Sequence, residues 1–169
     1  MTLDVTLVCV PPKTSHHAKR IVRVGAFSRL ADKSELVAAR EMLDTLLLPH
    51  QPPAPVPGPV TLVLEFTWPW LVSHSARTRR LGRIPHTSKP DTSNVCKTLE
   101  DRLVALRFVE DDRAIAGHHL QKWWGNAPGI RIVLGPFVPF DISTVHRQAA
   151  VEVSVWAPPQ TPGLFTEAR

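Results

Sequence analysis

Cysteine is scarce, since Cys9 and Cys96 are the only two in 169 residues. Two thiols cannot build a disulfide framework, and neither sits in a CxxC or Cys/His spacing of the kind that local zinc motifs need. The spacing therefore argues against a zinc site and for reduced thiols in a reducing compartment. Long hydrophobic runs are missing too. No stretch approaches the roughly 18 apolar residues of a membrane helix, so no membrane span is expected. The opening segment MTLDVTLVCVPP holds an acid at Asp4 and no basic leader, so no targeting signal is read there and a soluble, cytoplasmic protein is expected. No internal repeat occurs.

What is present is a globular composition, 43% hydrophobic and 21% charged. That is enough for one domain with its own core and too little chain for two. A net charge of +5 and a pI near 9.8 tilt the expectation toward a polyanionic partner, nucleic acid first.

Periodicity predicts an α+β single domain, a small mixed β-sheet packed against two main helices. Leu3, Val5, Leu7 and Cys9 alternate with Thr2, Asp4 and Thr6, a half-buried strand over 2–10. A basic loop from Lys13 to Arg20, containing His16 and His17, leads to a short strand over 21–26. Asp32 followed by Glu35 reads as a capped helix start. Leu36, Ala39, Leu43, Leu46 and Leu47 then give an amphipathic helix over 33–48. The proline-rich segment 51–59 is a stiff connector, and 60–66 is a third strand. A second helix over 93–106 lines up Val95, Leu99, Leu103 and Leu106 on one side, with Asn94, Lys97 and Asp101 on another. Strands over 114–123 and 130–134 follow, joined through Gly125–Gly129. The main domain is read as 1–135. Residues 136–169 form a C-terminal extension with a strand at Val151–Trp156 and a flexible tail.

Two regions carry chemistry. The stretch Val72–Pro90 holds Arg77, Arg79, Arg80, Arg83 and Lys89 without one acid. It reads as an exposed arm suited to phosphate contacts, with a merely solvated loop as the alternative. Around the second helix, Asp91 precedes it while Asp111 and Asp112 follow it. Carboxylates are what a hard cation seeks, and a hard cation polarises phosphoryl oxygens. A helix of ~14 residues is ~21 Å long, so Asp112 returns toward Asp91 only if the helix is short or tilted or the following loop folds back. Plainer readings exist for each residue: Asp91 as a helix N-cap, Asp111-Asp112 as a solvated turn, Lys97 as surface charge, Asp101 as its i,i+4 partner. His118 and His119 sit on adjacent strand positions facing opposite ways and read as core or surface histidines. Lys122-Trp123-Trp124 reads as strand-end packing or as a base-stacking platform.

The run from His86 through Lys89-Pro90-Asp91, Asn94, Lys97 and Asp101, followed by Asp111-Asp112, resembles the signature of the RusA-like Holliday-junction resolvases (crossover junction endodeoxyribonucleases). Lys89, Pro90, Asp91, Asn94, Lys97, Asp101, Asp111 and Asp112 match in order, and the resemblance covers roughly residues 1–135. One position departs: Ser93 stands where the family usually has its second acid. The resemblance implies a homodimeric, Mg²⁺-dependent endonuclease, with Mn²⁺ as a substitute, resolving Holliday junctions and other branched DNA by paired phosphodiester hydrolysis. It implies Asp91, Asp112 and Lys97 as catalytic residues. Asp91 and Asp112 are the implied metal ligands, with Asp111 and Ser93 as further candidates. Arg77, Arg79, Arg80, Arg83, Lys89 and Asn94 are the expected DNA contacts, and a phage or prophage origin fits the family. The alternative is a non-catalytic branched-DNA-binding protein that lost a metal-ligand acid at Ser93. A third reading, without the resemblance, is a basic nucleic-acid-binding module with an incidental acidic turn.

Overall fold

The computed structural model describes residues 2–14, 18–25 and 27–139. Its centre is strand β4 (Val60–Pro69), whose Val60, Leu62, Leu64, Phe66 and Trp68 are all buried. Strand β7 (Gly129–Pro136) pairs with it antiparallel, so that Ile130, Ile132 and Leu134 stand opposite Phe66, Leu64 and Leu62. Strand β1 (Leu3–Leu7) extends the same rows, with Leu3, Val5 and Leu7 opposite Leu134, Ile132 and Ile130. Strand β6 (Ile115–Gly125) runs parallel to β4 on its other side, and the short β5 (Arg83–Pro85) pairs with only the last three residues of β6. The sheet order is β1-β7-β4-β6-β5.

Helices α1 (Ser34–Leu47) and α3 (Thr92–Ala105) contribute Leu43, Leu47, Val95, Leu99 and Leu103 to the core that these rows form. The two helices are tied by a two-pronged ion pair, in which Arg102 donates to both oxygens of Asp44 at 2.5 and 2.8 Å. Away from the core, charges link several strands. Arg131 pairs with Asp4 at 2.9 Å and with Glu65 at 3.6 Å, and Arg83 reaches Glu65 at 3.7 Å.

The expected α+β architecture with two main helices is what the chain adopts, with local differences. The single strand expected at 21–26 is half of a hairpin, β2 (Lys19–Val24) with β3 (Phe27–Asp32). Its partner strand, FSRLAD, has no β-branched residue to announce it. Gly25, at φ +62, supplies the left-handed turn residue between the two. Asp32 is not the cap of α1. It ends β3, its carboxylate pairs with Arg40, and Lys33 takes the N-cap position without a side-chain bond. The stretch 72–90 contains a one-turn helix, α2 (Ala76–Arg79), and β5. The strand expected at Val151–Trp156 and the residues His16 and His17 lie outside the described residues. Among the described residues no helix is long and apolar enough to cross a membrane.

The end of α3 decides where Asp111 and Asp112 go. Arg107 adopts φ +57, its N–H donates to Val104 O at 2.9 Å, and the Phe108 N–H donates to Leu103 O at 2.8 Å. This is a Schellman stop, with Phe108 and Leu103 as its apolar contact pair, both fully buried. Val109 is buried next to it and bridges Val56, so the chain is reversed and anchored before the acids arrive.

An arginine in the left-handed region costs about 1–2 kcal/mol. Arg107→Gly should therefore raise stability by about 1 kcal/mol, whereas Phe108→Ala should lower it by about 3–5 kcal/mol. Urea unfolding checks both: the midpoint should move in opposite directions for the two variants while the slope stays constant.

Candidate active site

The segment Pro85–Asp91 is pinned from below by β6. The Lys122 ammonium donates to the carbonyls of Ser88 at 2.9 Å and Pro90 at 2.6 Å, and the His86 N–H donates to Lys122 O at 3.0 Å. The His86 imidazole stacks on Trp124 at 3.9 Å and meets the edge of Trp68 at 4.8 Å. Lys122 thus fixes the backbone that delivers Asp91. Sequence reasoning missed it by treating Lys122-Trp123-Trp124 as one unit. Strand alternation separates them, and Trp123 instead lies under Arg83, 4.3 Å from its guanidinium carbon.

Asp91 occupies the N-cap position of α3, yet its side chain makes no capping bond. The carboxylate is exposed, beside first-turn amides that have no intrahelical acceptor. Ser93 is exposed one residue into the helix. In the second turn, the Lys97 ammonium sits 2.9 Å from Asp112 and 3.1 Å from Asp101. Those two carboxylates push its pKa well above the usual lysine range, so it stays a cation. Asp111 turns away. It pairs with the Arg113 side chain at 2.8 Å and accepts the Arg113 N–H at 2.9 Å, and these bonds hold its carboxyl down at about 2. The reversed loop therefore brings Asp112 to Lys97 and commits Asp111 elsewhere. Asp91, Asp111 and Asp112 do not form a three-ligand cluster among the described residues.

A different threesome does converge. The Cys96 thiol donates to Glu100 Oε1 at 3.0 Å, and His118 Nε2 lies 2.5 Å from the same oxygen. All three ligand-type atoms lie within 4.8 Å of one another. Burial, then the bond to Glu100, pushes the Cys96 thiol up. A solvent-open cavity of about 340 Å³, lined by Ser93, Cys96, Lys97, Glu100, His118 and Leu120, adjoins them. His118 is exposed, in keeping with a surface histidine, and its contact with Glu100 is a partner that no local spacing announces. Cys96 and Glu100 share a helix face at i,i+4, but His118 comes from another element. No local spacing announces the cluster in the sequence.

The basic arm divides. The Arg79 guanidinium donates to the carbonyls of His74 at 3.1 Å and Leu71 at 2.9 Å, so it braces its own turn. Arg83 is engaged with Glu65 and Trp123. Arg77, Arg80 and Lys89 are exposed, and Asn94 is half-buried.

The family model described as "Endodeoxyribonuclease RusA" matches residues 10–134, well over half of the chain. No curated protein matches it.

Among the described residues the His86 ring nitrogens have no hydrogen-bond partner, and burial, then the nearby charge of Lys122, lowers the His86 pKa. A depressed folded-state pKa means that the unfolded chain takes up the proton first. The contribution of His86 to stability is then complete above its ordinary value of about 6.5 and is lost as pH falls below it. Thermal unfolding between about pH 7.5 and 5.5 should show the wild type losing more stability than His86→Phe. Superimposable profiles would refute a neutral, buried His86.

Proposed function

Because the chain belongs to the RusA endodeoxyribonuclease family, we propose that it is a Mg²⁺-dependent nuclease of the cytoplasm that resolves Holliday junctions and other branched DNA by paired phosphodiester hydrolysis. The observation that supports this reading is the contact between Lys97 and Asp112. It joins the two halves of the motif, which are separated by a helix end and a reversed loop.

The donor set suits a hard cation. Mg²⁺ typically takes one or two protein carboxylates and fills its remaining positions with water and phosphate. Asp91 has an uncommitted carboxylate and Asp112 is more than half exposed, so these two would hold Mg²⁺, or Mn²⁺ in its place. When bound, the ion supplies Lewis acidity toward phosphoryl oxygens and lowers the pKa of a water. Lys97, kept protonated by Asp101 and Asp112, offers a fixed positive charge to a non-bridging phosphate oxygen. The unpaired amides at the start of α3 favour an anion at the same place. Lys122 and His86 act at one remove, by holding the loop that presents Asp91. Arg77, Arg80 and Lys89 are the arm residues available for backbone phosphates, contacts that position DNA without reading its sequence.

Paired cuts need two sites, which a twofold dimer provides. The β2–β3 hairpin supports such an assembly. Ile21 and Leu30 face each other across it and are 76% and 70% exposed, and Phe27 is 81% exposed. Apolar side chains left in solvent at that density are what a second copy would cover.

On a synthetic four-way junction in Mg²⁺, Asp91→Asn and Asp112→Asn should each cut at least ~100-fold more slowly, because even an outer-shell loss commonly costs 10–100-fold. Junction binding should persist in both. Near-normal cutting by either variant removes that residue from the site.

Ser93 offers a neutral hydroxyl where an acid is the family habit, and of the two nearest acids that could replace it, Asp111 and Glu110, Asp111 is committed to Arg113. The site then runs on fewer carboxylates and binds Mg²⁺ weakly. Ser93→Asp should lower the Mg²⁺ concentration for half-maximal nicking, and an unchanged or higher value would refute this account. A wild type inert in both Mg²⁺ and Mn²⁺, beside a cutting Ser93→Asp, would make the chain a branched-DNA-binding protein without catalysis.

A further inference from the structure

The threesome of Cys96, Glu100 and His118 is not explained by the nuclease reading. Its donors are one thiol, one carboxylate and one imidazole, a mixture that Mg²⁺ does not select and that softer first-row ions do. Two of them, Cys96 and Glu100, sit one turn apart on α3, and the third comes from β6. Glu100 is a buried acid with a relative exposure of 9%, and both of its neighbours aim at the same oxygen. All three line the 340 Å³ cavity, together with Ser93, Lys97 and Leu120.

We infer that Cys96, Glu100 and His118 form a binding site for a soft divalent cation of the Zn²⁺ class, distinct from the Asp91 and Asp112 pair. Bonds of about 2.0–2.3 Å to Zn²⁺ place tetrahedral ligand atoms about 3.3–3.8 Å apart. The present separations, 2.5 and 3.0 Å to the shared oxygen and at most 4.8 Å overall, straddle that spacing. An ion entering between the atoms needs only small side-chain shifts. The fourth position faces the cavity and is filled by water.

Binding exchanges protons for the ion. The Cys96 S–H bond breaks, its proton goes to solvent, and the sulfur electron pair forms the bond to the metal. His118 binds through the Nε2 lone pair with its ring proton on Nδ1, and Glu100 binds as the carboxylate. Thiolate, carboxylate and Zn²⁺ then sum to zero charge, which limits the cost of placing an ion at a half-buried site. The bound ion would clamp α3 to β6. This inference does not rest on the nuclease reading, because its measurements involve no DNA.

The test is Zn²⁺ binding by the full chain, measured by competition with a chromogenic chelator, together with the absorption spectrum of the Co²⁺-loaded protein. The wild type should bind one Zn²⁺ per chain tightly and show a sulfur-to-cobalt charge-transfer band. Cys96→Ser, a near-isosteric change, should lose that band and weaken Zn²⁺ binding by more than ~100-fold, since outer-shell losses alone reach that size. His118→Gln should weaken binding similarly, and circular dichroism should show both variants folded. Asp91→Asn and Asp112→Asn should leave Zn²⁺ affinity within a factor of about three. Absence of stoichiometric Zn²⁺ binding by the wild type overturns the inference. So does unchanged affinity in folded Cys96→Ser, or a loss of affinity that follows Asp112→Asn instead.

Discussion

The way α3 ends is the constraint on which the site depends. An ideal helix of its length separates the residue before it from the residues after it by some 20 Å, too far for shared chemistry. The Schellman stop at Leu106–Phe108 turns the chain back. Two backbone bonds close the last turn, Phe108 and Val109 go into the core, and the next residues run back along the helix instead of away from it. Asp112 then meets Lys97 in the second turn of α3. The strain at Arg107 is small beside the burial of a phenylalanine and a valine, so the reversal is held by the core and not by the acids it serves.

The other end of the site is held differently. Asp91 enters through a segment with little apolar content, fixed by a lysine that donates to two carbonyls and by an imidazole wedged among tryptophans. Lys122 directs its ammonium to the carbonyls of Ser88 and Pro90. One side of the site is thus set by packing and the other by polar bonds. These respond to different variables, the first to volume and the second to protonation and charge.

Much of this was legible in the sequence. The two helices, the strands β1, β4, β6 and β7, and the apolar rows between them follow from periods of 3.6 and 2, because long, well-patterned elements override local detail. The motif residues were legible one by one, and so was Asp101 as the i,i+4 partner of Lys97, whereas the Lys97–Asp112 and Asp111–Arg113 contacts were not. The resemblance favoured Asp112 over Asp111, and the loop geometry gives Asp111 to Arg113 and Asp112 to Lys97. The β3 strand was hidden because FSRLAD has weak strand propensity and is recruited by its hairpin partner. Asp32 was misplaced because a cap signal and an ion-pair partner look alike in one dimension, and Arg40 lies two turns away. The Cys96, Glu100 and His118 convergence was beyond reach, since a helix and a strand meet there in a register that no local spacing encodes.

The charges linking Asp4, Arg131, Glu65 and Arg83 have a meaning of their own. All but the half-buried Glu65 are exposed, and ion pairs of that kind add little to stability. Their value lies in selection. The rows Leu3-Val5-Leu7, Ile130-Ile132-Leu134 and Leu62-Leu64-Phe66 repeat every second residue, so a slip of two positions would still bury apolar groups against apolar groups. The hydrophobic face cannot tell such shifted sheets from the correct one. Arg131 can, because it stands directly opposite Glu65 and diagonal to Asp4 in one alignment only. The outer charges thus act as an index mark on a sheet whose inner face is nearly translation-invariant, excluding the wrong alignments more than they strengthen the right one.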